Sequence, residues 1–301
     1  MGMVLLRELD DRFQADLWSR TLDEQGVPHL VRSFEDTAYD GLFVSQKGFG
    51  ALYVEEDWLE RAREMDAELA GRAAARGLEP ASLAARLDHT LLDPLAGPEE
   101  LAEHLEQCRR MGAAAACVPP WLVAEAARGL AGSGVKVCTV AGFPLGFESR
   151  RAKLAETAAA VAAGAQEVDV VLNRGLALSG RLEEAAEEMA AVAAQAAPAA
   201  VKVILETSAL GPELAQQAAR AVLETGAAFV KTGSGFFGPA TAAEVGMLKA
   251  QVGARLGVKA AGGIQGLDQA LTLIEAGADR LGASAGWEIY QEARRRWPEE
   301  E

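Results

Sequence analysis

The chain has 301 residues, half of them hydrophobic and a quarter charged, enough for one large domain or two smaller ones with a sizeable core. Its formal net charge of -15 argues against nucleic acid and anionic membrane surfaces as bulk partners, while leaving room for a local positive site that takes a phosphorylated substrate. No run of eighteen apolar residues is free of charge, and the start MGMVLLRELDDRF lacks both an apolar h-region and a cleavage site. Neither a membrane-spanning helix nor a secretory signal is therefore expected. Cys108, Cys117 and Cys138 form no CxxC pair and are odd in number, which points to a reduced, cytoplasmic chain.

Residues 1–80 read as a compact α/β pattern. MVLLREL is a strand, RFQADLWSRTLDEQG an amphipathic helix and VPHLVRSF a second strand. GLFVSQ and ALYV are further short strands, and EEDWLERAREMDAELAGRAAAR is a closing helix. Acidic charge is denser here, with nine basic against seventeen acidic residues. The division expected is a small α+β domain over 1–70, a linker over 71–80 and a larger domain over 81–301.

The larger domain repeats one unit, a short β-rich run followed by an alanine-rich helix. The strands are RLDHT, AAACVPP, VKVCTVAGF, EVDVVLN, AVKVILET, AFVKTG, GVKAAGG and DRLGAS. Helices lie between them, several ending at a glycine such as Gly112, Gly164, Gly226 and Gly277. Eight such units predict a parallel (β/α)8 TIM barrel, and the same alternation also permits an open doubly wound sheet.

In a barrel the chemistry sits at the C-terminal ends of the strands. Those ends carry Asp88 and His89, Cys117, Thr139, Asp169 and Asn173, Glu206, Lys231, Lys259 and Ser284, with Lys202 earlier in its strand. Only seven of the 29 basic residues are lysine, yet Lys202, Lys231 and Lys259 fall on three consecutive strands. Several lysines inside one barrel repel one another, which favours a neutral amine able to attack a carbonyl and form a Schiff base. Asp169 is placed to pair with one ammonium and keep it charged. The plainer alternative is three edge lysines, each paired with a carboxylate. VKTGSGF, AAGGIQG and RLGASAG place glycines after strands six, seven and eight, where backbone N–H groups approach an anion; ordinary turn glycines are the alternative.

Other motifs fall away. GASAG at 282–286 fits G-x-S-x-G, but that hydrolase needs a later histidine, and the histidines are 29, 89 and 104. AAGGIQG lacks the first glycine of a dinucleotide fingerprint, and no Walker-type lysine motif exists. His104 and Cys108 stand four apart on a helix with no further ligand nearby, so no metal site is assigned.

LDHTLL, CVPPWLV, VCTVAGFPLG, EVDVVLN, VKVILETSAL, FVKTGSGF, VKAAGGI and RLGASAG, in that order, resemble the deoxyribose-phosphate aldolases over essentially all of 81–301. The resemblance implies a class I aldolase that reversibly cleaves 2-deoxy-D-ribose 5-phosphate to glyceraldehyde 3-phosphate and acetaldehyde, with no metal or other cofactor. It implies Lys231 as the Schiff-base lysine, Lys259 as the second lysine that eases its deprotonation, and Asp169 as the proton relay. It implies Lys202, Asp88 and Cys117 as substrate-pocket residues, and Gly235, Gly262, Gly263 and Ser284 as phosphate contacts. The bond expected to break is C3–C4 of the open-chain sugar. Gln265 stands where many members carry arginine, and Phe236 where some carry lysine, so a weaker preference for phosphorylated substrates is expected. KTGSG replaces the commoner KTSTG, and the terminal WPEEE lacks the tyrosine of some members.

The partners implied are small phosphorylated sugars and aldehydes, with a homo-oligomer left open. Rival readings are a Schiff-base aldolase for another aldehyde, a phosphosugar-binding sensor and a purely structural barrel. Residues 1–80 lie outside that match. VLLRELDDRFQADLWSRTLDEQGVPHLVRS followed by LYVEEDWLERAREMDAEL resembles the small prokaryotic signal-transducing protein family, of ferredoxin-like character. A regulatory or contact module is expected there, against an inert solubilising fusion.

Overall fold

The computed structural model describes residues 2–9, 15, 18–19, 21–23, 25–33, 50–65 and 79–297. The chain divides into two compact units, Met1–Glu79 and Pro80–Glu301.

The first unit has a three-stranded antiparallel sheet of β1 (Met3–Leu9), β2 (His29–Ser33) and β3 (Gly50–Glu55), in the order β1-β3-β2. Its buried core gathers Leu9, Trp18, Leu22, Leu52, Val54 and Met65, with the Arg7 guanidinium 5.2 Å above the Trp18 ring. Residues 15, 18–19, 21–23 and 59–65 are helical, in line with the two helices read from periodicity. The strand expected at GLFVSQ and the linker stretch 71–78 lie outside the described residues.

The second unit is a closed (β/α)8 barrel. Its strands are β4 (Leu87–Thr90), β5 (Ala115–Cys117), β6 (Lys136–Ala141), β7 (Glu167–Val171), β8 (Ala200–Ile204), β9 (Phe229–Lys231), β10 (Gly257–Ala261) and β11 (Arg280–Ala283). All neighbours pair in parallel in chain order, and β11 closes onto β4. The open-sheet alternative is thereby excluded. Strand residues are almost all buried, because helices cover the outside and side chains fill the inside.

Local chemistry sets the helix ends. Ser149 accepts from Ala152 N–H to start the helix Arg150–Ala162, and Thr241 with Glu244 forms a capping box on Ala242–Val252. Gly112, at φ 68°, closes Pro98–Met111 in the left-handed conformation. Two short helices absent from the sequence reading, Arg174–Leu178 and Thr207–Leu210, follow β7 and β8 on the C-terminal side of the barrel.

Candidate active site

Strand register places the lysines. Lys231 and Lys259 are Cα partners on β9 and β10, so their side chains point inward side by side. Lys202 and Asp169 are partners on β8 and β7 in the same way. One Asp169 oxygen, Oδ2, accepts from Lys231 Nζ and from Lys259 Nζ, each at 2.8 Å. Its other oxygen, Oδ1, takes Lys202 Nζ at 3.1 Å and the Cys138 thiol at 3.3 Å. Asp169 thus binds all three ammonium groups at once, where the sequence reading foresaw one.

A second layer lies deeper. Asp88 Oδ2 sits 2.6 Å from Lys259 Nζ and 3.2 Å from Lys202 Nζ, and Asp88 Oδ1 is 2.8 Å from Arg280 Nη1. Glu167 pairs with Lys202 at 2.5 Å through Oε2 and with Arg280 Nη2 at 2.6 Å through Oε1. Gly282 makes this packing fit, since a Cβ there would stand 2.8 Å from Lys259 Cε.

The electrostatics follow from that geometry. Burial pushes the Asp88 carboxyl up, but Lys202, Lys259 and Arg280 outweigh it and hold it at about 2. Asp169 is held well below the usual carboxylate range, burial being overcome by Lys202, Lys231 and Lys259. Lys259 is likewise held up: burial favours the neutral amine, and Asp169 and Asp88 overcome it. Lys259 therefore stays a cation beside Lys231. The Cys117 thiol is drawn down chiefly by its hydrogen bond with Cys138, which is itself pushed up.

Above this stack opens a cavity of about 1110 Å³. Lys231, Gly235, Gly262, Gly263 and Ser284 line it, together with His89, Phe143, Phe236 and Gln265. Lys259 and Asp169 are not on its wall and reach it through Lys231. Asp88, Lys202 and Cys117, expected as pocket residues, lie sealed within the barrel, at most 1 % exposed. The Asp88 and Lys202 side chains are taken up by ion pairs, and the Cys117 thiol meets that of Cys138. Lys231 is the one cationic side chain among the described residues on the wall, which also carries Asp93, Glu100 and Glu103. The Lys231 ammonium nitrogen is 6.0 Å from the Phe143 ring centroid, and Phe236 meets Phe143 edge-on at 5.6 Å.

Glu206 was read only as a strand end. The strand stops at Ile204, and Glu206 takes a left-handed φ of 59°, a strained conformation for a residue with a side chain. Both its carboxylate oxygens accept the Ser234 N–H at 3.1 Å, and Arg174 Nη1 lies 3.5 Å away. A Cβ on Gly233 would come within 2.6 Å of Glu206 Oε1, so the glycine admits this clamp. The Phe236 N–H is taken by Ser234 Oγ and the Gln265 N–H by Gln269 Oε1. Several backbone donors of the glycine loops are therefore already committed.

The sequence reading did not single out Glu167 or Arg280. Period-two alternation signals both, since Glu167 shares a strand face with Asp169, and Arg280 with Gly282. Lys153, also passed over, is fully buried; its Nζ donates to the Gly146 and Val171 carbonyls at 2.9 Å and pairs with Glu188 at 2.6 Å. That bond set ties the loop after β6 to the end of β7.

Cys117, Cys138 and Asp169 bring three ligand-type atoms within 4.8 Å of one another, as do Asp88, Cys138 and Glu167. Every carboxylate in these sets already faces an ammonium or guanidinium, and Lys202 Nζ is 3.3 Å from Cys138 Sγ. That cationic surrounding opposes a divalent ion.

Residues 83–292 match the DeoC/LacD family aldolase profile. The chain is 44% identical over 206 residues to deoxyribose-phosphate aldolase of Trichormus variabilis, a match covering 68% of this chain and 91% of that one. Over 212 residues it is 42% identical to deoxyribose-phosphate aldolase of Bacillus subtilis, covering 70% and 95%. Among solved structures, an aldolase named QR15 superposes with a TM-score of 0.68 at 37% identity, over 71% of this chain and 96% of that one. The tetrameric deoxyribose phosphate aldolase from Aeropyrum pernix does so with a TM-score of 0.67 at 30% identity, over 74% and 95%.

Proposed function

The chain belongs to the DeoC/LacD aldolase family, and from that premise we propose a class I aldolase that reversibly cleaves 2-deoxy-D-ribose 5-phosphate to D-glyceraldehyde 3-phosphate and acetaldehyde. The observation that carries it is Lys231, a cavity-wall lysine whose carboxylate partner, Asp169, is shared with the neighbouring ammonium of Lys259. A sensor that merely bound phosphosugar has no use for such a lysine.

The neutral Lys231 amine adds to C1 of the open-chain sugar and, on loss of water, forms an iminium. Removal of the C3 hydroxyl proton then breaks the C2–C3 bond, and its electron pair flows through C2 and C1 to the iminium nitrogen. Acetaldehyde carries C1 and C2, so carbon counting corrects the C3–C4 scission expected above. The C3 fragment leaves as an aldehyde. Protonation of C2 and hydrolysis release acetaldehyde and restore Lys231. Asp169 and Lys259, bonded to the Lys231 nitrogen or to its partner oxygen, are assigned the proton traffic through water. The iminium takes up the electron pair that a metal ion would otherwise polarise, so the scheme calls on no cofactor.

Gly235, Gly262, Gly263 and Ser284 are assigned the phosphate end, and Asp88, Lys202 and Cys117 support from beneath rather than contact. No helix among the described residues is long and apolar enough to cross a membrane. Three buried free thiols fit a reducing, cytoplasmic setting.

Borohydride trapping tests the reading. Incubation with deoxyribose 5-phosphate, reduction and peptide mapping are expected to place a stable adduct on the peptide holding Lys231, and Lys231→Met to abolish it. A folded sample that gives no adduct with this sugar or with acetaldehyde would return the sensor reading to first place.

A further inference from the structure

Lys231 and the layers beneath it bring four buried cations, Lys231, Lys259, Lys202 and Arg280, against three carboxylates, Asp169, Asp88 and Glu167. With Lys231 protonated the stack holds one excess positive charge. With Lys231 neutral the charges cancel. Among the described residues, the stack is also faced by the thiols of Cys117 on β5, Cys138 on β6 and Cys108 on the helix Pro98–Met111, the last pushed up to about 12 by burial, and by Lys136, whose side chain is half exposed and reaches Glu167 Oε1 at 3.3 Å from the solvent side.

Resting on the Schiff-base reading, we propose that Arg280 and Glu167 are positioning residues that set the charge balance against which Lys231 exchanges its proton. Neither lines the cavity. Arg280 cannot give up its own proton, so it is a fixed positive charge. One of its nitrogens holds Asp88 and another holds Glu167, and the second oxygens of those carboxylates hold Lys259 and Lys202. Both lysines then meet Asp169, which meets Lys231. The chain of alternating charges runs without a gap from the floor of the barrel to the nucleophile. Buried charges are screened less than exposed ones, so the floor is felt at the top.

The two residues carry opposite signs, and so must their effects. Glu167→Gln leaves two excess positive charges, and the acid limb of activity moves to lower pH. Arg280→Gln removes the excess, and the acid limb moves to higher pH. Each shift is about one pH unit, roughly a tenfold change in reactive amine below the midpoint. Arg280→Lys keeps the charge and leaves the midpoint in place. A merely structural role lowers kcat in both glutamine variants without separating their pH profiles.

The experiment follows, from pH 5 to 9, the rate at which the full chain forms a cyanoborohydride-reduced adduct with acetaldehyde, alongside kcat/KM, with circular dichroism at each pH. Midpoints displaced in opposite directions support the proposal. Displacement in one common direction, or none, overturns it. Because stripping a partner from a buried pair is costly, Lys136→Met supplies an arm on a half-exposed side chain: loss of that cation moves the midpoint upward by a few tenths of a unit. Should neither glutamine variant fold, an unmoved or lowered midpoint there overturns the proposal. A parent that traps no aldehyde at any pH removes the Schiff-base reading itself, whereas a parent that traps beside unmoved variants removes this inference alone.

Discussion

Phe236 and His104 show how single side chains tune this barrel. Phe236 is two-thirds exposed at the cavity rim, where its ring rests against Phe143 and offers an anion nothing. In the proposed reading phosphate falls to the glycine backbone and Ser284, with some of the nearby N–H groups already bonded within the protein. Phe236→Lys supplies one partly exposed cation, worth about 1 kcal/mol against a phosphate. It is expected to raise kcat/KM for deoxyribose 5-phosphate about fivefold and to leave that for free deoxyribose unchanged, in paired steady-state assays. His104 acts on stability instead. It is buried, its ring centroid lies 4.3 Å from that of His89, and burial together with His89 brings its pKa down to about 3. The folded state thus binds fewer protons than the unfolded one between about pH 6.5 and 3. Stability is full above that window and falls with pH inside it, by up to about 1.4 kcal/mol per unit. Urea unfolding at pH 7 and pH 5 reads this loss, and His104→Gln is expected to flatten it.

At the scale of elements, three-residue strands carry much of the chemistry. β9 ends at Lys231, and the chain then turns so that Ser234 meets the Glu206 carboxylate. The sequence reading ran this strand on through Gly233 and the preceding one through Thr207, because apolar runs do not reveal where a side chain captures a backbone N–H. Glu206 at positive φ was beyond any pattern, being stabilised by contacts made only in the fold. Gly282 was legible as a glycine but not for its purpose. It clears the path of Lys259 across β11 to Asp88 and Asp169, and the lysine is held there by two short ion pairs and has nowhere to yield. Gly282→Ala is expected to cost about 1–3 kcal/mol by overpacking and to cut kcat sharply as Lys259 leaves Asp169. Urea unfolding and initial rates measure the two losses separately.

The whole molecule joins a barrel whose alternation was plain in the sequence to a small unit that was less so. Eight repeats of strand and alanine-rich helix leave few architectures, and closure of β11 on β4 selects one of them. The lysines stood out because the chain spends so few of them, while Glu167 and Arg280 passed as ordinary charges until the closed barrel gave them an inside. Residues 1–80 offered short strands, two helices and a dense acidic excess, with none of the lysine and glycine patterning that marks the barrel. Every residue assigned to the reaction, from Asp88 to Ser284, belongs to the unit Pro80–Glu301, which carries its own core and closes its own sheet. A chain beginning at Pro80 is therefore expected to fold and to keep kcat and KM within about twofold, as an autonomous domain does. Gel filtration of the two chains then separates the roles left for the first unit. A shift in apparent size beyond the mass removed makes it a contact module between copies or toward a partner, and proportionate sizes with equal kinetics make it an inert appendage to a complete aldolase.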